Sequence, residues 1–283
     1  MTLFVVGVSL FIWRELRGKN PLVDLRVLRE RNLAVSCAIL FCAFGILYAA
    51  SIALPAMLQA LFGYDALHAG LVLSPGGITS VSVLVVVSVL LRRGVDTRWL
   101  IAAGLVVLGI SNFWMAQLNL EVSSWQIIAP RMVLTGGLGL IFAPINVAAL
   151  LYTPKHLRGS AIALISLLRN EGGSVGTSMT QTIVQRRSQF HLSRVNEFID
   201  PLNAHVQSYF HQAQGYLLPH TGDAVAARRL ALDGLDQLRQ QQALSLAYFD
   251  IFWLAAVLAI CLVPLVLFMK RSVAEKGAHV GGE

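Results

Sequence analysis

Residues 162–184 read IALISLLRNEGGSVGTSMTQTIV, a largely apolar run with two charges and paired glycines near its centre. At about 1.5 Å per residue, a helix of this length crosses a hydrocarbon core about 30 Å thick. A charge at the middle of a membrane costs at least about 2.5–3.5 kcal/mol, so Arg169 and Glu171 must face protein or water. The run therefore predicts a membrane-spanning helix with a functional polar centre, within a polytopic membrane protein.

Composition places the whole chain in the membrane class. Of its 283 residues, 56% are hydrophobic and 13% are charged, whereas soluble proteins carry about 25% charged residues. The formal net charge of +7 does not indicate nucleic-acid binding, because the basic residues lie in short gaps between apolar runs and form no phosphate-binding stripe. The cysteines lie in apolar runs without a CxxC pair and are typical of small core residues.

We predict an all-α integral membrane fold, because lipid offers no partner to exposed backbone N–H and C=O groups. Residues 1–13 form an apolar run that is too short to span the membrane and lacks the features of a signal peptide. We expect a truncated transmembrane helix there, with the chain beginning inside a longer protein, in preference to an interfacial anchor. Six full spans are predicted after it, at 33–58, 69–91, 100–117, 125–152, 160–184 and 244–269.

Basic residues predict the orientation of these spans. Segment 14–32 and the short loops after the second and fourth spans carry Lys and Arg, as does the tail 270–283. The alternate short loops, 62–68 and 118–124, carry none. By the positive-inside rule, the basic segments and the C-terminus are therefore cytoplasmic.

Segment 185–243 is predicted to be a long external (periplasmic) loop, since a loop near this length is translocated despite its arginines. Asp223 is a candidate helix cap, and apolar residues recur at helical spacing after it, so the second part is predicted to be helical. Two interpretations remain open: a solvated hairpin over the bundle, or a docking surface for a partner outside the membrane. The histidines of the loop lack metal-ligand spacing, so no metal site is predicted.

The fourth span carries an arginine and a group of glycines. Arg131 lies about two turns below the predicted external surface. It either snorkels outward or lines a cavity, where it contacts a substrate or a carboxylate. The glycines that follow let a neighbouring helix approach closely; they are Gly136, Gly137 and Gly139.

The fifth span carries Arg169, Asn170 and Glu171 at its centre. Because the two charges are two residues apart, they point to different faces of the helix and cannot neutralise each other. The sequence leaves open a fixed ion pair between two helices and a carboxylate used in a proton-coupled step. Asp250 in the last span is either interfacial or a second cavity carboxylate. Close helix packing is predicted at Gly172, Gly173 and Gly176.

The sequence predicts no enzyme and no cofactor. It contains no HExxH, no P-loop and no Gly-rich dinucleotide-binding turn. An intramembrane enzyme would also need paired catalytic groups at one depth, and Glu171 has no obvious His or Asp mate in the sequence.

Several stretches of the sequence are similar, in their order and spacing, to those of one known transporter family. They are NPLVDLR at 20–26, LPAMLQ at 54–59, AGLVLSPGG at 69–77 and RNEGGSVG at 169–176, with Arg131 and its glycines between the last two. They resemble the C-terminal half of the fourteen-helix drug:proton antiporters of the major facilitator superfamily, the EmrB/QacA-type multidrug exporters. The resemblance covers nearly the whole chain.

This resemblance implies the six-helix C-terminal bundle of the superfamily, preceded by the end of one further helix. It also implies proton-driven export of hydrophobic drug-like substrates across a bacterial inner membrane. Gram-negative members work with a periplasmic adaptor and an outer-membrane channel. Asp96 and Arg98 keep the Asp-x-Arg core of a cytoplasmic gating loop whose remaining pattern departs from that of the family.

The N-terminal half of such transporters is not part of this sequence. Their substrate path lies between the two halves near the bilayer midplane, and the acidic residue assigned to proton coupling belongs to the N-terminal half. We therefore expect a half-transporter that is inactive without a separate N-terminal half, with Glu171 in a cavity wall or a packing motif. The alternative is a non-transporting membrane scaffold, or a binding or regulatory protein, derived from a transporter bundle.

Overall fold

A computed structural model of the chain describes residues 25–120, 122–197, 199 and 203–272. These ranges contain no strand, which confirms the prediction of an all-α fold. The predicted truncated helix at 1–13 and most of the predicted tail at 270–283 lie outside the described residues. The α-helices are α1 (Arg31–Phe62), α2 (Ala66–Arg92), α3 (Thr97–Ala116), α4 (Ser124–Leu151), α5 (Arg158–Glu197), α6 (Ala204–Thr221) and α7 (Ala224–Leu267).

Five of the described helices, α1 to α4 and α7, are long and apolar enough to cross a membrane. The sixth predicted span, 160–184, is continuous helix within the 40 residues of α5, but α5 is not among these five. Its polar centre and its many serines, threonines and glycines dilute the apolar run. The assignment of α5 as a span therefore stays a prediction, whereas the membrane bundle as a whole is confirmed.

The helices pack around α1, which contacts α4, α5 and α7. α3 packs between α4 and α7, while α2 packs almost entirely on α4 and leaves most of its surface exposed. Large apolar side chains without exposed surface fill the centre of the bundle; they include Leu54, Met57, Leu105, Leu108, Ile141, Ile145 and Phe252.

The connections between helices gather at two ends of the bundle. At one end, the hydroxyl oxygens of Tyr64 and Ser124 lie 2.7 Å apart and join the turn before α2 to the start of α4. At the other end, the Thr97 amide donates to the Ser272 carbonyl over 3.0 Å, which joins the start of α3 to the residues after α7. We call the second the basic end, because the lysines and arginines of the short loops lie there, as their alternation predicts.

The segment predicted as a loop at 185–243 is helical over most of its described residues. α5 continues without a break past Val184 to Glu197, and α6 follows. α7 begins at Ala224 and runs unbroken into the last predicted span. The Asp223 carboxylate accepts from the Val225 amide over 3.0 Å, so the expected cap and the helix after it are present. Hydrophobicity changes along α5 and α7 where the backbone does not, so the limits of the spans and of the external segment stay predictions.

Helix α5 packs on α1 with the two backbones in direct contact. A Cβ atom added at Gly172 would lie 2.1 Å from the Phe41 carbonyl oxygen, and one at Gly176 would lie 2.3 Å from that of Gly45. At Gly173 it would meet the Tyr48 ring at 3.0 Å. Only glycine permits such backbone contact, as at other small-residue helix crossings in membranes.

The glycines of α4 serve two further crossings. A Cβ at Gly137 would lie 2.9 Å from the Leu108 amide nitrogen on α3, and one at Gly139 would lie 3.2 Å from the Val83 side chain on α2. At Gly136 the nearest contact would be an ordinary 3.5 Å to Thr79. The tight packing of α4 therefore depends on Gly137 and Gly139 more than on Gly136.

We expect Gly172→Ala to destabilise the bundle by about 1–3 kcal/mol, because the added methyl forces α1 and α5 apart. The measurement is the thermal unfolding midpoint of the purified chain in detergent. Gly77→Ala is the matched control, since no atom lies within 4 Å of a Cβ there and alanine favours a helix. Equal midpoints for the two variants would contradict the assigned contact.

Candidate functional site

The polar centre of α5 points away from its packed face. Gly172 and Gly173 are buried against α1, whereas Asn170 and Glu171 are exposed. The half-buried Arg169 guanidinium lies over the Phe44 ring, 5.5 Å from its centroid, so the ring partly offsets the charge. Within the part of the chain that the structure describes, Glu171 forms no ion pair. These residues therefore do not form the ion pair between helices that the sequence left open.

The exposed face of α5 differs in chemistry from the exposed faces of its neighbours. It carries charged, amide and hydroxyl side chains, namely Asn170, Glu171, Ser174, Ser178, Gln181 and Thr182, together with the apolar Leu167, Val175 and Met179. The exposed faces of α3 and α7 are apolar, with Val106, Ile110, Phe113, Trp253, Leu254 and Val257. An apolar face suits lipid, while an exposed carboxylate at the middle of a span does not. The α5 face is therefore built to meet water or another protein.

Residues 172–176 read GGSVG and match the G-x-S-x-G pattern of serine hydrolases. In those enzymes the serine sits on a sharp turn between a strand and a helix, next to a histidine. Here the whole stretch lies inside the continuous helix α5. The match is therefore a packing sequence and gives Ser174 no activated position.

Arg131 of α4 is buried, with only 6% of its surface exposed. Its Nη2 donates to the Ser51 hydroxyl on α1 over 3.0 Å. Its Nε and Nη1 have no hydrogen-bond partner among the described residues. The guanidinium therefore does not snorkel to the surface; it lies inside the bundle between α4 and α1.

Small residues make room for this side chain. A Cβ added at Gly76 of α2 would lie 3.7 Å from the Arg131 Cγ and 3.1 Å from the Thr135 methyl. The Thr135 hydroxyl is engaged locally and donates to the Met132 carbonyl over 3.0 Å. The arginine thus lies where α1, α2 and α4 meet.

Asp250 of α7 is held by two side chains of α5. Arg187 Nε and His191 Nε2 each lie 2.6 Å from its Oδ2. The Arg187 guanidinium also lies over the Phe190 ring, 4.8 Å from its centroid. Asp250 is therefore a link between α7, inside its predicted span, and the part of α5 that continues beyond its predicted span.

The sequence alone does not predict that Arg187 and His191 contact Asp250, because it places both in the external loop at 185–243. The available signal was their spacing of four residues, which places both on one face once α5 continues. The described residues contain no group of His, Cys, Asp and Glu suited to a metal.

Asp96 and Arg98, predicted as the gating pair, hold the residues that follow α7. They bond each other, with Nη2 to Oδ2 at 3.3 Å. Arg98 Nη1 donates to the Met269 carbonyl over 2.9 Å. The Ser272 amide donates to Asp96 Oδ1 over 3.3 Å. The pair therefore ties the start of α3 to the chain after α7.

Two residues that carry no sequence signature complete this basic-end cluster. The buried Asn32 accepts from the Lys270 amide over 2.7 Å and donates to the Ser272 hydroxyl over 3.0 Å. The Tyr152 hydroxyl donates to the Arg271 carbonyl over 2.6 Å. Four helices thus share one backbone segment, 269–272, so that their basic ends hold one another in place.

An open cavity of about 560 Å³ lies at the opposite end of the bundle, between the turn that follows α1 and the first turns of α2 and α4. Its lining is polar at Tyr64, Asp65, His68 and Ser124 and apolar at Leu71, Val72 and Ile128. His68 donates its backbone amide to Asp65 over 2.7 Å, and this bond is the main cause that lowers the pKa of the Asp65 carboxyl. The cavity is therefore amphipathic.

The sequence model of the Major Facilitator Superfamily matches residues 4–177, more than half of the chain. The chain is 27% identical over 282 residues to the multidrug export protein EmrB of Escherichia coli strain K12, covering 98% of this chain and 52% of that protein. Identity to EmrB of Haemophilus influenzae is 30% over 266 residues, covering 93% and 50%.

A further relative carries a more specific name. The chain is 27% identical over 272 residues to the fatty acid resistance protein FarB of Neisseria gonorrhoeae, covering 94% of this chain and 51% of that protein. In each comparison the chain spans about half the length of the curated relative it matches.

We expect Asp250→Asn to lower the stability of the chain by about 1 kcal/mol, because Arg187 and His191 lose their charged acceptor. Glu197→Gln is the control, since Glu197 pairs with Arg194 in an exposed position where a charge contributes little. The midpoint of thermal unfolding should fall for the first variant and stay near wild type for the second. Identical midpoints for both would mean that Asp250 does not join α5 to α7.

Proposed function

Since the chain belongs to the Major Facilitator Superfamily, we propose that it supplies the C-terminal half of a proton-coupled multidrug efflux transporter in a bacterial inner membrane. The exposed polar face of α5 is the observation that carries this proposal. A charged side chain at mid-span must have water or protein beside it. In a transporter of two halves, that neighbour is the substrate path and the other half.

Each half of such a transporter forms one wall of the path. In this chain α5 presents Asn170 and Glu171 on its exposed face, and α2 leaves an apolar surface exposed beside α4, with Ile78, Val81 and Val85. A surface that mixes apolar area with a few polar groups suits hydrophobic drug-like substrates. We assign Glu171, Asn170 and the half-buried Arg169 to this wall.

Asp250 takes a different part in the proposal. Its carboxylate is engaged by Arg187 and His191, whereas Glu171 forms no ion pair with any described residue. We propose that Asp250 positions α5 against α7, and that Glu171 contacts substrate or protons. Asp96 and Arg98 form the gate at the basic end, which we place in the cytoplasm together with the C-terminus.

The partners follow from the same proposal. The other wall comes from an N-terminal half, and the relatives named for multidrug export and fatty acid resistance favour hydrophobic substrates, including acidic ones. The helices beyond the bundle, within 185–243, expose apolar side chains such as Tyr216, Val225 and Leu238. They suit docking of a periplasmic adaptor that leads to an outer-membrane channel.

We expect the chain expressed alone to leave drug tolerance unchanged in an efflux-deficient bacterial host, because one wall does not enclose a path. The measurement is the minimal inhibitory concentration for a panel of hydrophobic drugs, with membrane insertion of the chain checked by fractionation. Robust resistance from the chain without a partner would contradict the half-transporter proposal.

In an exporter that joins this chain to an N-terminal half, we expect Glu171→Gln to reduce efflux by about tenfold or more, since it removes an ionisable group from the path. Asp250→Asn should reduce efflux by less than about fivefold, which corresponds to a weakened surface-type pair. Efflux of a fluorescent drug is measured per amount of folded protein.

The serine two turns along the same α5 face from Glu171 gives a matched control for these two variants. Ser178→Ala removes an exposed hydroxyl that bonds only the Ser174 carbonyl among the described residues, so expression and insertion should match wild type. Wild-type efflux in both Glu171→Gln and Asp250→Asn would leave Glu171 without a part in transport.

A further inference from the structure

Arg131 is a buried cation without a counter-charge among the described residues. One of its three nitrogen atoms, Nη2, bonds a neutral hydroxyl, and Nε and Nη1 are buried without a partner. Of the carboxylates in the spans, Asp250 is engaged by α5 and Glu171 lies on the exposed face of α5. No ion pair to Arg131 forms within the described part of the chain.

Such an arrangement is costly unless an anion completes it. Removing a guanidinium from water costs far more than one hydrogen bond to a hydroxyl returns, and guanidinium groups inside proteins are therefore normally paired with an acid. A carboxylate is the anion that fits best, because its two oxygens match the forked N–H donors of arginine. The unpartnered Nε and one terminal nitrogen form one such fork.

The surroundings show where the rest of an anionic ligand would lie. Val72 and Ile128 line the apolar wall of the open cavity. Each is about one helical turn from a residue of the arginine site, since Val72 precedes Gly76 on α2 and Ile128 precedes Arg131 on α4. The apolar wall of the cavity therefore ends about one helical turn from the arginine site on both α2 and α4, although Arg131 itself does not line the cavity.

The cavity itself is suited to a short apolar tail. Its volume of about 560 Å³ is within the range of small-molecule sites, and Leu71, Val72 and Ile128 provide apolar contact. Asp65 is an exposed carboxylate on the cavity lining that is bonded by His68 and keeps its negative charge. The acidic group of an anionic ligand must therefore lie away from Asp65, at the arginine side.

We propose that Arg131 binds the carboxylate of an amphipathic organic anion whose apolar part lies against Val72 and Ile128. The proposal rests on the proposed transport function, for which it defines a substrate class: acidic amphiphiles. Gly76 is required because a side chain there would close the space through which the arginine reaches α1.

The test is binding of three probes of equal chain length to the purified chain in non-ionic detergent: octanoate, octanamide and octyltrimethylammonium. Binding is followed as a rise in the thermal unfolding midpoint, read by the fluorescence of its five tryptophans. Octanoate should raise the midpoint in a saturable way, at concentrations at least about tenfold below those needed for the amide or the cation.

Variants locate the site. Arg131→Gln should weaken the octanoate effect by at least about tenfold, whereas Arg131→Lys, which keeps the charge without the fork, should weaken it less. Arg194→Gln is the control for overall charge, because Arg194 is an exposed residue near the end of α5, and it should respond to octanoate like wild type.

Equal effects of the three probes would mean nonspecific partitioning and would overturn the proposal, as would an octanoate effect that survives Arg131→Gln. Absence of any octanoate effect on wild type would also overturn it. If Arg131→Gln does not fold, the wild-type comparison of octanoate with octanamide still decides. Because the assay reads binding alone, its result is independent of whether an assembled exporter transports drugs.

Discussion

The contact of Gly172 and Gly176 with the backbone of α1 at Phe41 and Gly45 determines how α5 is rotated about its axis. With these glycines against α1, the residues immediately before them, Asn170 and Glu171, must face outward. The same rotation brings Arg169 over Phe44. Further along the helix, it directs Arg187 and His191 toward Asp250 of α7. The glycine surface of α5 that packs on α1 therefore determines which charged residues of α5 are exposed, and the proposed function depends on those residues.

The charged groups within the bundle are accommodated in different ways, and these differences suggest different roles. Asp250 is satisfied by two neighbours, so it acts as a structural link. Arg169 rests on an aromatic face and remains half exposed. Glu171 is exposed, which a membrane tolerates only beside water or protein. Arg131 is the opposite case, buried with two unpartnered donors. Among the described residues, Glu171 forms no ion pair and Arg131 keeps two nitrogen atoms without a hydrogen-bond partner. We propose a second wall beside Glu171 and a bound anion beside Arg131.

The two ends of the bundle are built differently. At the basic end, side chains of α1, α3 and α4 converge on the backbone of residues 269–272, so that four helices share one short segment. At the opposite end, an open cavity lies between the turn that follows α1 and the first turns of α2 and α4. Beyond that end α5 and α7 continue as helices, with α6 packed on α7. In the proposed half-transporter, the bonds at the basic end hold these helices together while the bundle moves as a unit against the other half.

The sequence by itself determined the fold class, five helices long and apolar enough to cross a membrane, the end at which the basic loops gather, and the helix-packing role of several glycines. These properties depend on hydrophobicity, charge and residue size, which are local. It did not determine where α5 and α7 begin and end as helices, because a helix continues past the residues that lipid can cover and polarity does not end it. Only the tertiary structure decided which side chains meet. Three such contacts join residues far apart in the chain. Asp250 pairs with Arg187 and His191, Asn32 and Tyr152 bond residues 269–272, and Arg131 is buried between α4 and α1. Their proximity depends on helix rotation and crossing, which no single segment specifies.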